Sequence, residues 1–354
     1  MTSLTIAFHS NQLSIRGTEV ALYDYALNSE TLLNHRSLIV YNASSPHNSA
    51  EAMDKFRARF DVVGYRHPSE LDALLSYHQA DLLYAIKAGK NDGLWSSTVP
   101  TMVHAVFPTS PSQVHGASFA FISEWLSRHC ASGRIPSVPH IVELPEVNGD
   151  LREELGIPKH AKVLGCHGGK DSFDVPAAIE AVQETLATAP DTWFVFLNIG
   201  RFVDHPRALF LPGSSDMEYK TRFINTCDAM LHARLQGESF GLACGEFSIR
   251  NKPVITYARS KHRHHIDVLG DTGFYYNDAR SLVDIIKRLE PAALKHQSWD
   301  RYSALYNRKM VMELFDRHLI QPALSNRDLS RPQLSLRWRD RLAFHRFKLS
   351  MRLR

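Results

Sequence analysis

The sequence predicts an α/β protein built from two successive, doubly wound domains. Short apolar runs alternate with helical segments along the chain, a pattern typical of parallel sheets covered by helices. Residues 134–150 interrupt the alternation with three prolines and one glycine, after which it restarts. Such a density of breakers indicates a linker between domains. The chain of 354 residues is also long enough for two domains of ordinary size.

The first predicted domain covers residues 1–140. Continuous apolar runs predict its strands at residues 4–9, 38–41, 61–64, 81–86, 101–106 and 118–122. Helices are predicted at residues 19–33, 50–60 and 69–79, and from Ser123 to about residue 131. Gly17, in the first strand-to-helix turn, can bring backbone close to a ligand, and Thr18 can cap the following helix. The turn lacks the GxGxxG pattern of dinucleotide-binding sites.

The second predicted domain covers residues 141–325, and residues 326–354 form a basic tail. Apolar runs predict strands at residues 162–166, 192–197, 208–211, 229–235 and 254–257. Helices are predicted at residues 174–188, 216–226, 281–290 and 300–323. The domain therefore repeats the alternation of the first one.

Composition and cysteine usage exclude several classes of protein. The chain is 44% apolar and 22% charged, which is ordinary for a globular protein, and no run of 18 apolar residues predicts a membrane-spanning helix. The N-terminus lacks the basic and apolar regions of a signal peptide. Cys166, Cys227 and Cys244 lie in apolar or small-residue contexts typical of buried free thiols, and no CxxC pair occurs. We therefore expect a cytoplasmic protein without disulfides or a zinc site.

The basic tail carries most of the positive charge. Residues 331–354 hold eight Lys or Arg and one Asp, whereas the whole chain has a net charge of only +4. Apolar and polar residues alternate strictly from Phe347 to the end, which is a strand period and not a helix period. Peripheral contact with an anionic membrane is one hypothesis, and nucleic-acid binding through arginines and aromatic residues is a less favoured rival. A solvated tail remains a further alternative.

Residues 227–257 form the most informative stretch of the chain. A strand-like run leads into a turn with Glu238, then a short helical segment with Glu246, then a second strand, which together predict a βαβ unit. The turn lies at the carboxyl end of a parallel strand, where open α/β sheets bind ligands. Gly241 and Gly245 allow close approach of a ligand to the helix start. Alternatively, Glu238 caps the helix and Glu246 is a solvated surface residue.

Three other features could carry chemistry. His167-Gly168-Gly169-Lys170 follows a strand and suits a phosphate, although its spacing and Asp171 exclude a P-loop. Asn198 ends a neighbouring strand and could line the same site. His104 lies in an apolar run, where a histidine is more often a core residue. The histidines of residues 261–265 are expected in a solvated loop, and the absence of any Asp-x-Asp predicts that no divalent cation is held.

Taken together, these residues give the chain a family resemblance. It resembles the retaining GT-B glycosyltransferases of the glycogen-synthase-like and sucrose-synthase-like group. The run from Glu238 to Glu246 is similar to that group's E-x7-E motif. Residues 251–256 are similar to the strand that follows this motif in the group, and residues 227–229 are similar to the stretch that precedes it. Weaker similarities lie at residues 121–125 and 16–19. The resemblance covers roughly residues 4–290 and implies two Rossmann-like α/β domains that face a central cleft.

The resemblance also implies an activity and a set of roles. The enzyme would move a sugar, with retention, from a UDP- or GDP-linked donor to a carbohydrate or lipid-linked acceptor, without a metal or further cofactor. Glu246 would accept hydrogen bonds from the ribose, and Glu238 would hold a sugar hydroxyl. The expected catalytic residues are Lys170, Glu238 and His104. The expected donor-binding residues are Gly17, Gly168, Gly169, Asn198, Arg234, Ser239, Phe240, Gly241, Leu242 and Glu246.

One loop departs from the family pattern. The family usually places an arginine and a later lysine in the first loop of the second domain, but here Lys170 is the only obvious cation. Arg234 could assist it in neutralising the diphosphate. The departure leaves open two other hypotheses: a GT-B epimerase or phosphorylase-like enzyme, and a non-catalytic nucleotide-sugar-binding protein with a decayed site.

Overall fold

The chain divides into two units, and each is built around one parallel sheet. A computed structural model describes residues 3–352, so the ends of the predicted first domain and tail, at residues 1, 2, 353 and 354, lie outside the described residues. One unit comprises the chain up to Ile141 together with the chain from Tyr306 onward, and the other comprises Val142–Leu305. Each unit contains a six-stranded parallel sheet, which confirms the predicted α/β class.

The first unit is a doubly wound sheet with strand order β3-β2-β1-β4-β5-β6. Its elements are β1 (Thr5–Ser10), α1 (Gly17–Leu33), β2 (Arg36–Asn42), α2 (Ala50–Arg57), β3 (Asp61–Tyr65), α3 (Leu71–Tyr77), β4 (Leu82–Lys87), β5 (Thr101–Ala105), β6 (Ser118–Phe121) and α4 (Glu124–Ala131). Every residue of β4 and β5 is buried. These strands are continuous apolar runs because both faces of a parallel sheet are covered.

The start of α1 differs from its prediction. The helix begins at Gly17 with Arg16 as the preceding residue, and no side chain caps it. Thr18 already lies within the first turn, so its predicted capping role is wrong. Buried Glu19 instead ties this turn to the end of β1, because its carboxylate accepts hydrogen bonds from the hydroxyls of Ser10 at 3.0 Å and Ser14 at 2.5 Å.

The second unit has the same kind of sheet, with strand order β14-β12-β10-β7-β8-β9, and a small pair of strands, β11 and β13. Its elements are β7 (Lys162–His167), α5 (Pro176–Thr188), β8 (Thr192–Leu197), β9 (Ala208–Leu211), α6 (Met217–Thr226), β10 (Ala229–His232), β11 (Gly237–Glu238), α7 (Leu242–Ile249), β12 (Val254–Tyr257), β13 (His262–Arg263), α8 (His264–Leu269), β14 (Phe274–Tyr276), α9 (Ala279–Arg288), α10 (Pro291–Leu294) and α11 (Ser303–Tyr306). The predicted βαβ unit corresponds to β10, α7 and β12.

The last part of the chain returns to the first unit. It comprises α12 (Arg308–Phe315), a π-helical segment (Asp316–Ile320), α13 (Gln321–Ser325) and α14 (Trp338–Arg352). The Phe315 ring lies 5.0 Å from that of Tyr25, and the Ser118 hydroxyl donates to the Leu319 carbonyl at 2.8 Å. This packing differs from the predicted domains, which assigned residues 306–325 to the second one.

The C-terminal segment is a helix and not a strand. Phe344 and Phe347 are buried, and the Phe347 ring lies 5.2 Å from the ring of Trp125 on α4. Buried Asp340 forms an ion pair with Arg134 at 3.3 Å. The alternation from Phe347 onward left the conformation of this segment open, and buried contacts at Asp340, Phe344 and Phe347, four and three residues apart, select a helix.

Candidate functional site

The candidate site lies at the carboxyl edge of the second sheet, where the strand order reverses. β7 and β10 are neighbours, with Ala229 opposite Leu164. The chain leaves β7 toward β8 on one side and leaves β10 toward β12 on the other. The loops after the two central strands therefore diverge, and this reversal is the place where open α/β sheets bind ligands.

The loop after β7 is shaped by its neighbours and leaves Lys170 exposed. The Asn198 amide donates to the Gly168 carbonyl at 2.6 Å, and the Gly200 N–H donates to the Lys170 carbonyl at 2.9 Å. A Cβ on Gly168 would lie 2.3 Å from the Ser172 hydroxyl, whereas one on Gly169 would meet nothing within 4 Å. Asn198 therefore holds the loop, and the Lys170 side chain extends from it into solvent.

The loops after β7 and β10 are joined by one residue. The Asp174 N–H donates to the Ala233 carbonyl at 2.9 Å, and its carboxylate accepts from the Leu235 N–H at 2.7 Å. These two bonds keep the loop of Lys170 beside the segment that carries Arg234 and Glu238. The two segments therefore form one surface at the sheet edge.

Glu238 is an ionised carboxylate held by two cationic or polar partners. Arg234 Nη1 lies 2.8 Å from Glu238 Oε1, and His232 Nε2 lies 3.3 Å from the same oxygen. Burial raises the pKa of Glu238, but the His232 hydrogen bond and the Arg234 charge outweigh burial and lower the pKa to about 2. Its side chain is 20% exposed and therefore partly accessible. Glu238 does not cap α7, because Gly241 precedes that helix and no side chain caps it.

A chain of hydrogen bonds leads from Glu238 into the core. His232 Nδ1 lies 2.8 Å from the Thr256 hydroxyl, which lies 3.0 Å from His265 Nε2. Nδ1 of His265 is buried with no hydrogen-bond partner among the described residues, and burial keeps the pKa of His265 well below its usual value, so the ring is neutral. We assign its proton to Nε2, because an unpartnered buried N–H is rarer in proteins than an unpartnered acceptor. His265 Nε2–H then donates to Thr256, and the Thr256 hydroxyl donates to His232. The chain therefore orients the His232 Nε2–H toward Glu238.

Glu246 lies at the centre of a second buried cluster. It is 1% exposed, forms an ion pair with Lys220 on α6, and lies 2.8 Å from His167 Nε2 at the end of β7. Burial raises the pKa of Glu246, but the Lys220 charge and the neighbouring His167 outweigh this and lower the pKa to about 2. The alternative of a solvated surface residue is thus excluded. Glu246 instead fixes α6 and α7 to the strand that precedes the Lys170 loop.

The start of α7 is positioned by a glycine with a left-handed backbone. Gly241 has φ +95°, and a Cβ there would lie 2.9 Å from His265 Cβ. Phe240 is buried with its ring 5.4 Å from that of His264, whereas Ser239 and Leu242 are partly exposed. The first N–H groups of a helix have no partners within it, so this uncapped start presents backbone donors to a ligand.

The predicted residues of the first unit have different environments. His104 is fully buried in β5, where Nδ1 lies 2.8 Å from the Tyr84 hydroxyl and Nε2 lies 2.8 Å from the Val138 carbonyl. Burial lowers its pKa to about 4. This placement favours the core-residue interpretation of His104. Gly17 is exposed at the uncapped start of α1.

Several site residues were not predicted, namely Lys220, His232, Thr256 and His265. Lys220 and Glu246 lie on separate helices, 26 positions apart, so no local spacing pairs them. The histidines of residues 261–265 were expected in a solvated loop, but His262, His264 and His265 are buried, so that prediction is wrong. Their burial follows from partners such as Thr256 and Gln236, which lie outside the motif.

No group of three or more His, Cys, Asp or Glu side chains is arranged to hold a metal ion within residues 3–352. Cys166, Cys227 and Cys244 are buried free thiols, as predicted, and so is Cys130. Two surface depressions of about 430 and 330 Å³ in the first unit contain none of the predicted site residues.

Comparisons by sequence return no relative, and comparisons by structure return many. No protein-family model and no curated protein matches the sequence. The fold matches Anabaena Alr3699/HepE in complex with UDP-glucose, at a TM-score of 0.68 and 14% identity over 89% of this chain and 99% of that one. It also matches AviGT4, a glycosyltransferase involved in avilamycin A biosynthesis, at a TM-score of 0.59 and 12% identity over 91% of this chain and 98% of that one.

Epimerases are among the structural neighbours as well. A putative UDP-N-acetylglucosamine 2-epimerase from Listeria monocytogenes matches at a TM-score of 0.58 and 12% identity, over 90% of this chain and 97% of that one. At such identities the likeness concerns the fold alone. The chain has two parallel six-stranded sheets, and its fold matches the GT-B fold of these glycosyltransferases and epimerases.

Proposed function

We propose that the protein is a retaining glycosyltransferase that binds its nucleotide-sugar donor at the carboxyl edge of the second sheet. One observation carries this proposal. An exposed lysine, an ionised carboxylate with an arginine beside it, and an uncapped helix start lie on loops around one point of strand reversal. A sugar diphosphate carries anionic phosphate oxygens and sugar hydroxyl groups. The lysine, the arginine and the helix start are complementary to the phosphate oxygens, and the carboxylate is complementary to the hydroxyl groups.

The diphosphate would be held by three sources of positive charge. The Lys170 ammonium is exposed, and the start of α7 presents the N–H groups of Ser239, Gly241 and Leu242 with the positive end of the helix dipole. Arg234 donates one hydrogen bond to Glu238, and its side chain is 35% exposed. Its other donors can therefore take the place of the arginine that the family usually has in the Lys170 loop.

The two glutamates would have separate tasks. Glu238 is ionised and partly exposed, so it can accept a hydrogen bond from a sugar hydroxyl. Glu246 is buried, so it would support the ribose end of the donor mainly by fixing His167 and Lys220. Gly168, Gly169 and Asn198 would keep the loop close to the donor, and the donor-binding role expected of Gly17 stays a prediction.

The proposed reaction proceeds on one face of the sugar. The acceptor oxygen forms a bond to the anomeric carbon while the bond from that carbon to the diphosphate oxygen breaks. The proton of the acceptor hydroxyl passes to the departing phosphate oxygen, so no protein base is required. The protein contributes positioning and stabilisation of the negative charge that develops on the leaving group.

The test is a panel of UDP- and GDP-linked sugars screened for thermal stabilisation, hydrolysis and transfer to carbohydrate acceptors. For an active donor, Lys170→Ala should lower kcat by roughly 10²–10³, the usual loss for one anion-stabilising donor. Glu238→Gln should also lower kcat, because it removes the charged acceptor of the sugar hydroxyl. Lys287→Ala, which removes an exposed lysine from α9, is the matched control. Unchanged transfer in both site variants would show that the assignment is wrong.

We also propose that transfer is metal-independent, since the chain has no Asp-x-Asp and its carboxylates at the site are paired with cations. EDTA should leave the transfer rate unchanged. The four free thiols suit a reducing cytoplasm. A carbohydrate or lipid-linked acceptor is consistent with this location.

A second candidate is a sugar-nucleotide epimerase. UDP-N-acetylglucosamine 2-epimerases share this fold, and the His232–Glu238 pair at the sheet edge could move a proton. Proton NMR of UDP-N-acetylglucosamine incubated with the protein alone separates the two candidates. Inversion at C2 without any acceptor would favour the epimerase, whereas donor that changes only when an acceptor is added would favour the transferase.

A further inference from the structure

Helix α14 has two faces of different character. Phe344, Phe347 and Asp340 are at most 8% exposed, and they anchor the helix on α4 and on Arg134. Trp338, Leu342 and Leu349 are instead 67%, 46% and 59% exposed. With about 3.6 residues per turn, these three side chains fall within about 40° of one another, on the side opposite the packed face. The helix therefore presents a narrow apolar stripe outward.

Cations border the apolar stripe on both sides. On the helical wheel, Arg341 and Lys348 flank one edge, and Arg339 and Arg346 flank the other. All four side chains are exposed. A tryptophan and two leucines between two rows of cations form the pattern of a helix that lies in the interface of a membrane. The apolar side chains enter the acyl boundary while the cations remain at the headgroups.

We propose that this face of α14, comprising Trp338, Leu342, Leu349 and the four flanking cations, binds the surface of an anionic phospholipid bilayer. Charge complementarity selects an anionic surface, and the aliphatic side chains select lipid over nucleic acid. Leu342 and Leu349 offer no ring on which a base could stack, so the rings on this face are those of Trp338 and the exposed His345 beside it. The helix would lie along the surface, since no helix in the described part of the chain has the length and apolar character that crossing a bilayer requires.

Membrane binding by the exposed face of α14 would leave the packing of its other face intact. Phe344 and Phe347 are already buried within the first unit, so membrane contact would require no unfolding or rotation of α14. This interface is independent of the donor site, because its residues belong to the first unit and the donor residues at the sheet edge belong to the second. Failure of either proposal therefore leaves the other standing.

The test is sedimentation of the full chain with vesicles of phosphatidylcholine alone or with about 30% phosphatidylglycerol. We expect binding to the anionic vesicles only, weakened by salt. Each cation near an anionic surface contributes about fivefold in the partition coefficient. Arg341→Gln/Arg346→Gln/Lys348→Gln should therefore lower binding by about 100-fold. The control Arg280→Gln/Lys287→Gln/Arg288→Gln removes the same charge from exposed positions on α9 and should bind like the wild type.

Two further measurements test the contribution of the apolar stripe to vesicle binding. Brominated phosphatidylcholine mixed into the anionic vesicles should quench the Trp338 fluorescence, and Trp338→Phe should abolish that quenching while binding persists. Leu342→Ser/Leu349→Ser should lower binding by at least tenfold without changing the circular dichroism spectrum. Equal binding by the charge variant and its control would overturn the proposal. So would absence of vesicle binding together with tight, cation-dependent binding of a fluorescent oligonucleotide.

Discussion

Substitution of Lys220 by Met tests the buried cluster around Glu246. Glu246 is 1% exposed, and Lys220 and His167 are its partners. Removing Lys220 leaves the carboxylate buried with His167 alone. Loss of one partner from a buried ion pair costs about 3–5 kcal/mol of folding free energy, because the remaining charge is left uncompensated.

The pKa of Glu246 gives a second value for the folding free energy that its ion pair contributes. It is lowered from 4.5 to about 2 in the folded protein, which corresponds to about 3 kcal/mol of stabilisation. A carboxylate whose folded pKa is depressed contributes stability above its unfolded pKa and loses it as the pH falls through its folded pKa. The contribution should therefore be complete above about pH 5 and decline toward pH 2.

The assay is urea unfolding of Lys220→Met and of Lys220→Met/Glu246→Gln at neutral pH. The single variant should lose about 3 kcal/mol, and the double variant should regain part of this loss because it no longer buries an uncompensated charge. Lys252→Met is the matched control, since Lys252 is partly buried and donates to the Asn225 carbonyl at 3.4 Å, and it forms no ion pair with a carboxylate among the described residues. A loss in Lys220→Met no larger than in this control would refute the reasoning.

Three further predictions concern the site and the C-terminal helix. Thr256→Val should cost about 2 kcal/mol in urea unfolding, because it removes the hydroxyl that joins His232 to His265, whereas Thr256→Ser should be nearly neutral; equal losses would contradict the hydrogen-bond chain. Gly237→Ala should cost about 3 kcal/mol, since φ is +66° and the added Cβ would lie 2.1 Å from the His262 carbonyl oxygen. Gly169→Ala, where a Cβ meets nothing within 4 Å, should leave the melting temperature unchanged, and a similar drop in both variants would speak against the steric argument. Phe347→Ala should cost about 3 kcal/mol and expose α14 to limited proteolysis, because this ring packs on Trp125 and His129; a cleavage rate equal to that of the wild type would contradict that packing.

The strands were predictable because parallel strands are buried on both faces. β4 and β5 are continuous apolar runs in the sequence and fully buried in the structure. The same rule predicts from the sequence that Glu238 lies at the carboxyl edge of a parallel strand. Periodicity alone thus located the edge that carries the candidate site.

The partners of the site residues could not be read from the sequence. Lys220 reaches Glu246 from another helix, and Thr256 links two histidines that lie on opposite sides of it in the chain. Such pairs depend on how α6, α7 and β12 pack, and no spacing rule encodes that packing. Helix α14 shows the same limit, because Phe347 and Leu349 look alike in an alternating pattern and only the contact with Trp125 makes one buried and the other exposed.

Calorimetric titration of UDP and GDP tests the central claim most directly, because it requires no knowledge of the sugar or the acceptor. The proposed donor site predicts saturable binding of at least one of the two nucleotides by the wild type. It also predicts binding at least tenfold weaker for Lys170→Ala, whose exposed side chain contributes little to the fold. Absence of saturable heat with both nucleotides, or identical affinities for the wild type and Lys170→Ala, would contradict the account.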